Sequence, residues 1–158
     1  MKILFAGEGG QGVQVAAEIL AKAGFIEGKK VTYIPNFGVE QRGGVSLAFV
    51  MIDDKPIVYP KFETADVLAV FSERSFERIN NYLGPKTKLI KGPMVKNGLK
   101  SNFPAKIGNL VVLGTVNKII EMIKFENLVK AMEERFTKQF EKNPDLRKLD
   151  SQALLSSK

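Results

Sequence analysis

Residues 2–24 restrict the fold more than any other stretch of this chain. The apolar run Lys2–Ala6 passes directly into Gly7-Glu8-Gly9-Gly10-Gln11-Gly12, and a helix-patterned segment follows as far as Gly24. The turn fits G-x-G-x-x-G with Gly10 as an extra glycine, and it sits between a predicted strand and a predicted helix. Val13, Ala16, Ala17, Leu20 and Ala23 recur at helical spacing and form one core-facing stripe. A strand that must turn sharply into a helix packing back onto it commits the chain to an α/β architecture. Backbone N–H groups of such a turn, together with the positive end of the helix, attract a phosphate or another anion. Gly7, Gly9, Gly10, Gln11 and Gly12 are therefore the first candidate binding residues.

Composition removes several function classes. With 158 residues and 44% hydrophobic content, the chain is expected to form a single domain over 1–158. It contains no Cys and no His. It therefore lacks thiolates for an iron–sulfur cluster, a Cys nucleophile and an imidazole proton shuttle. No catalytic residue and no metal ligand is assigned. No apolar run reaches the roughly 20 residues of a membrane span, and the first residues lack a signal-peptide pattern, so the expectation is a cytoplasmic protein without membrane contact.

Further along, Val31–Ile34 reads as a second strand, with Gly24 as the stop of the preceding helix. No carboxylate follows that strand until Glu40, which disfavours ordinary NAD binding. Only about ten residues, Pro35–Gly44, precede the next strand at Val45–Ile52, too few for the dozen or more of a helical crossover. That strand is expected to run antiparallel to its predecessor or to leave the local parallel order. Asp53-Asp54-Lys55 reads as a turn into a short hairpin strand at Pro56–Tyr59. A strand at Asp66–Phe71, a helix at Glu73–Leu83 and a strand at Thr87–Ile90 come next. Asn109–Lys124 is apolar around most of its circumference and reads as a buried helix, either in this core or against another subunit. Phe125–Lys142 is amphipathic, and Asn143-Pro144 opens a last short helix through Leu155. The expected fold is a Rossmann-like three-layer sandwich with a mixed, mostly parallel sheet and a helical C-terminal third.

Charge is concentrated. From Arg78 through Ile120 there is no Asp or Glu, but there are Arg78, Lys86, Lys88, Lys91, Lys96, Lys100, Lys106 and Lys118, and the whole chain carries +7. The segment is either a solvated face or a surface for a polyanion or an acidic partner. Nucleic acid is not expected, because Tyr82 and Phe103 are too few aromatics for a stacking platform.

A second glycine motif lies between the second and third strands: Asn36-Phe37-Gly38-Val39-Glu40-Gln41-Arg42-Gly43-Gly44-Val45-Ser46. It is either a solvated turn or a loop presenting Arg42 beside the first glycine turn. GEGGQGV with AAEILAKAG, followed by FGVEQRGGVS, resembles the gamma subunit, or gamma domain, of 2-oxoacid:ferredoxin oxidoreductases. Val58-Tyr59-Pro60, Ala65-Asp66-Val67-Leu68 and the Asn109–Gly114 segment match in order, over about residues 1–143. Val39 stands where the family loop usually has Pro.

The resemblance implies a subunit of a complex that oxidatively decarboxylates 2-oxoacids such as pyruvate or 2-oxoglutarate to acyl-coenzyme A. It implies thiamine diphosphate with Mg and iron–sulfur clusters on thiamine-binding and ferredoxin-like partner subunits, and ferredoxin as acceptor through the complex. It adds Glu40, Gln41, Arg42, Gly43 and Gly44 to the candidate binding residues, on the coenzyme A side. The alternative is a stand-alone Rossmann-like nucleotide-binding protein.

Overall fold

The sheet is laid around β1 (Lys2–Glu8), whose side chains alternate between two buried faces. Ile3 and Phe5 point to one face, Leu4 and Ala6 to the other, and none of the four has measurable solvent exposure. The computed structural model describes residues 1–37 and 44–156. After β1 come α1 (Val13–Ile26), β2 (Lys30–Phe37), β3 (Val45–Asp53), β4 (Val67–Val70), α2 (Glu73–Ile79), β5 (Lys88–Lys91), α3 (Gly108–Ile120), α4 (Phe125–Lys142) and α5 (Asp145–Leu155).

The strand order is β2-β3-β1-β4-β5. β1 pairs in parallel with β4, and β4 with β5, while β3 runs antiparallel to both β1 and β2. β3 alone points against the other strands, as the short connection before it requires. The sheet is thus mixed with mostly codirectional strands. One face carries α1 and α3, with α4 and α5 packed beyond them; the other carries α2 and the side chains of Phe62, Val95 and Tyr82. The three-layer α/β arrangement and the helical C-terminal third agree with expectation.

α3 is apolar all round because it is covered on more than one side within this chain. It packs against β4 and β5 on one flank and against α1 and α5 on others. Its Leu110, Val112, Leu113 and Val116 are no more than 1% exposed. Each such burial contributes about 1.5–3 kcal/mol relative to an exposed side chain. In α4, Leu128 and Met132 are buried, whereas Phe136 and Phe140 are half-buried. A spacing of four drifts by about 40° per step around a helix of 3.6 residues per turn. The apolar stripe therefore rotates out of the core, and Phe136 also leaves helical geometry at φ −109°.

Several local expectations change. Gly24 does not stop α1. The helix runs on to Ile26, and Gly24 lies where a Cβ would come within 3.0 Å of Val31 Cγ2, so it permits close helix–sheet approach. The stop is Gly28, at φ +83°. The hairpin strand expected at Pro56–Tyr59 does not form. Pro56 and Pro60 lack an N–H for a ladder, Val58 and Tyr59 face solvent, and the stretch is anchored instead by Phe62 stacking edge-on to Phe49 and Tyr82. The expected helix 73–83 is α2 followed by a 3₁₀ turn at Asn80–Tyr82. The expected helix 109–124 ends at Ile120, where Glu121 takes φ +52°.

Two carboxylates at the C-terminal helices have opposite consequences. Glu27, at the end of α1, accepts hydrogen bonds from Asn127 Nδ2 (2.6 Å) and the Lys124 N–H (2.9 Å). These bonds cap α4, which has no side-chain cap of its own, and they hold the Glu27 carboxyl below its usual range. Asp150 on α5 is 7% exposed, and its Oδ1 has no hydrogen-bond partner. Burial pushes its carboxyl above the ordinary value, with Lys106 pulling weakly the other way. A raised folded-state value means that stability is fully present below the unfolded value and is lost as pH rises through the folded one. Asp150→Asn is therefore expected to raise the melting temperature at pH 7, with the gain shrinking toward pH 3. Thermal unfolding of both proteins across that range checks it.

Candidate functional site

β1 and β4 are neighbouring parallel strands whose following helices leave on opposite faces, α1 to one and α2 to the other. A crevice must open beyond their C-terminal ends, and in open α/β sheets ligands bind there. A cavity of about 230 Å³ occupies this place. Gly10 and Gln11 line it from the glycine turn, Gly92 and Met94 from the loop after β5, and Lys106 and Asn109 from the start of α3.

The glycine turn is built so that each glycine does a different job. Gly7 is buried where a Cβ would come within 2.8 Å of Phe71 Cβ and closer still to Val13 Cγ2. Gly10 takes φ +90° with nothing near its missing Cβ, and Gly12 takes φ +77° as the residue before α1. Gln11 closes the turn locally. Its N–H donates to the Glu8 carbonyl at 3.1 Å, and its Oε1 accepts from the Glu8 N–H at 2.8 Å. α1 has no side-chain N-cap, so the N–H groups of its first turn remain available to an anion.

Asn109 is a residue that the helical pattern alone did not single out for this site. It is 7% exposed, and its Nδ2 donates to the Gly12 carbonyl at 3.4 Å across 97 positions of sequence. A Cβ on Gly12 would approach Asn109 Nδ2 to 2.5 Å. The helix start noted at Asn109 and the glycine turn are thus one packed unit. A second polar knot sits behind it. Gln14 Nε2 donates to Ser46 Oγ (2.9 Å) and to the Leu47 carbonyl (2.8 Å), while its Oε1 accepts from the Tyr33 hydroxyl (2.7 Å). This ties the first turn of α1 to β2 and β3. No spacing signal in the sequence pointed to Gln14, because its partners come from two other strands.

The two glycine motifs meet. The Gly9 N–H donates to the Gly44 carbonyl at 3.2 Å, and Glu8 lies opposite Val45 in the β1–β3 register. Gly44 is therefore placed at the turn. Glu40, Gln41, Arg42 and Gly43 fall outside the described residues. The basic segment does not converge here as one surface. Only Lys106 of its eight cations lines the crevice, because Lys88 and Lys91 ride on the strand at the sheet edge and Arg78 on α2. Among the described residues no group of three or more His, Cys, Asp or Glu converges, and the chain has no thiolate to offer a cluster.

Two substitutions separate turn geometry from packing. Gly10→Ala is expected to cost about 1–2 kcal/mol, the left-handed backbone alone. Gly12→Ala should cost more, because the added methyl also strikes Asn109. Denaturant titration of both variants checks the order. Gln14→Leu, which strands Ser46 and Tyr33, should cost about 1–3 kcal/mol by the same measurement.

Comparisons with known proteins place this architecture. Residues 2–104 match the family model described as pyruvate ferredoxin/flavodoxin oxidoreductase. The chain is 35% identical to the pyruvate/ketoisovalerate oxidoreductases common subunit gamma of Pyrococcus abyssi, over 90% of this chain and 91% of that one. The fold is shared with a keto/oxoacid ferredoxin oxidoreductase gamma subunit from Geobacter sulfurreducens, at TM-score 0.77, 22% identity and coverage of 99% and 95%. It is also shared with part of the 2-oxoglutarate:ferredoxin oxidoreductase of Magnetococcus marinus, solved with 2-oxoglutarate, coenzyme A and succinyl-CoA bound, at TM-score 0.85 and 19% identity. That match covers 99% of this chain and 30% of the longer one. With a family match over most of its length and a full-length gamma relative, the chain belongs to the pyruvate ferredoxin/flavodoxin oxidoreductase family, as a gamma-type subunit.

Proposed function

We propose that this subunit works in a 2-oxoacid:ferredoxin oxidoreductase whose thiamine diphosphate, Mg and iron–sulfur clusters sit on thiamine-binding and ferredoxin-like partner chains, and that its own crevice receives the phosphate end of coenzyme A. The observation that carries this reading is the junction of the two glycine motifs, Gly9 to Gly44, at an uncapped helix N-terminus. Gly7, Gly9, Gly10, Gln11, Gly12 and Gly44 supply backbone and turn geometry; Glu40, Gln41, Arg42 and Gly43 belong to the same motif by sequence. Lys106 lines the crevice and adds a cation. A backbone N–H turn with a nearby ammonium suits a phosphate, since it supplies donors and positive potential, and no carboxylate is among the described residues lining the crevice. A role in the cytoplasm is part of the proposal; what the structure contributes is that no described helix is long and apolar enough to cross a membrane.

A subunit also needs surface to give to its partners. Phe37 is 70% exposed, Val58 94% and Tyr59 67%, and their neighbours Asn36 and Pro60 line one groove beside β2. Exposed apolar side chains gathered in this way mark protein–protein contact. The stand-alone nucleotide-binding alternative has less support, because β2 ends in Pro35-Asn36-Phe37 without the carboxylate that would hold a ribose.

Purifying the tagged full chain from its native host tests the subunit reading. The eluate is expected to contain thiamine diphosphate, iron and coenzyme A-dependent 2-oxoacid oxidation; a lone protein without them rejects it. Gly10→Asp tests the crevice, since Asp tolerates the left-handed backbone and brings a negative charge to the turn. In the purified complex it should raise the KM for coenzyme A by about tenfold, a 1.4 kcal/mol effect, with assembly intact. An unchanged KM removes the turn from coenzyme binding.

A further inference from the structure

The sequence left the acid-free stretch 78–120 open as either a solvated face or a binding surface, and the crevice uses only Lys106 of it. The structure gathers much of the remainder at one margin of the sheet. β5 is the terminal strand, carrying Lys88 and Lys91; Lys86 precedes it, and Lys96 and Lys100 lie on the loop that returns to it. That loop is held in place by the Leu99 N–H, which donates to the Lys91 carbonyl at 2.8 Å.

The backbone of β5 is open along its middle. The Lys88 N–H donates to the Asp66 carbonyl and the Gly92 N–H to the Val70 carbonyl, so the even-numbered residues face β4. By the alternation of a strand, the N–H and carbonyl of Leu89 and the N–H of Lys91 point away from the sheet. Beside them a groove of about 370 Å³ runs between β5 and α3, with Leu89, Leu99 and Ile119 among its walls. Leu89 itself is 39% exposed. Lys91 Nζ lies 5.2 Å over the Phe76 ring on α2, which leaves Lys86, Lys88, Lys96 and Lys100 as the cationic rim beside the outward backbone groups and the apolar wall.

We infer that the β5 edge takes up an extended acidic segment of a partner protein, which adds as a strand with its carboxylates against the lysines and its alternate apolar side chains in the groove. Short edge strands bearing lysines resist pairing with copies of themselves, because like charges meet. The same lysines favour a strand of opposite sign, so the occupant is an acidic chain and not a second copy of this one. Strand addition draws affinity from main-chain hydrogen bonds and selectivity from the alternate side-chain pockets. Glu73 stands near this margin on α2, its Oε1 accepting from the Lys96 N–H at 2.8 Å, and the surrounding lysines outnumber its single negative charge. The inference rests on the subunit reading only in supposing that a partner chain exists.

The test uses the full chain and a fluorescently labelled ten-residue peptide of alternating Glu and Val, followed by anisotropy. Saturable binding is expected. It should weaken by about tenfold or more with the chain variant Lys88→Glu/Lys100→Glu, whose substituted side chains are both exposed, and be unchanged with the remote control Lys130→Glu. A peptide N-methylated at alternate residues keeps its charge but loses its strand donors, and it should also bind about tenfold more weakly. Equal binding of the methylated peptide, equal binding by the double variant, or displacement by single-stranded DNA at matched charge overturns the inference. None of these results touches co-purification with thiamine-bearing subunits, so the subunit reading stands or falls separately.

Discussion

The burial of β1 on both faces and both edges is the constraint from which the other elements take their places. A strand hydrogen-bonded to β3 on one side and β4 on the other, with Ile3, Leu4, Phe5 and Ala6 all excluded from solvent, has no freedom of register. Its C-terminal end is fixed in turn. The glycine turn must leave the sheet plane there, and α1 must start where Gly12 allows it. The close approach of Asn109 to Gly12 requires that Gly12 carry no side chain, while the bare Gly7 makes room for Val13 and Phe71.

The antiparallel β3 brings the end of the second glycine motif to the first turn. Had the connection after β2 been long enough for a helix, a parallel strand would have carried the second glycine motif to the opposite end of the sheet. A short connection turns the chain straight back, so Gly44 arrives beside Gly9. Gly9 and Gly44, more than thirty positions apart in sequence, are joined through a single reversal of direction. Gln14, bonded to both antiparallel strands, holds α1 to that arrangement.

The edges of the sheet divide the remaining surface by chemistry. The β2 margin presents apolar side chains, Phe37 with Val58 and Tyr59 nearby in the chain fold, and the β5 margin presents lysines. The crevice at the glycine turn lies between one apolar and one cationic flank. The chain's family membership as a gamma-type subunit fits that division.

Much of the fold was legible in the residues because it follows from local rules. The apolar run of β1, the glycine turn, the periodicity of α1 and α4 and the short loop that forces β3 antiparallel are properties of adjacent residues, and each was read correctly from them. The positive-φ glycines of the first turn, Gly10 and Gly12, were legible for the same reason. What escaped depends on partners distant in sequence. Gly24 looks like a helix stop until Val31 and Ile52 are seen packed against it, and Pro56–Tyr59 looks like a strand until Phe62 is found anchoring that stretch to Phe49 and Tyr82. Asn109, Gln14 and the buried Asp150 have meaning only through contacts with other elements. The sequence by itself determined the strand, the turn and the chemistry available, since backbone conformation is set by near neighbours. Tertiary structure alone decided which cations face the crevice and which line the β5 edge, because charge spacing along a chain carries no direction until packing orients it.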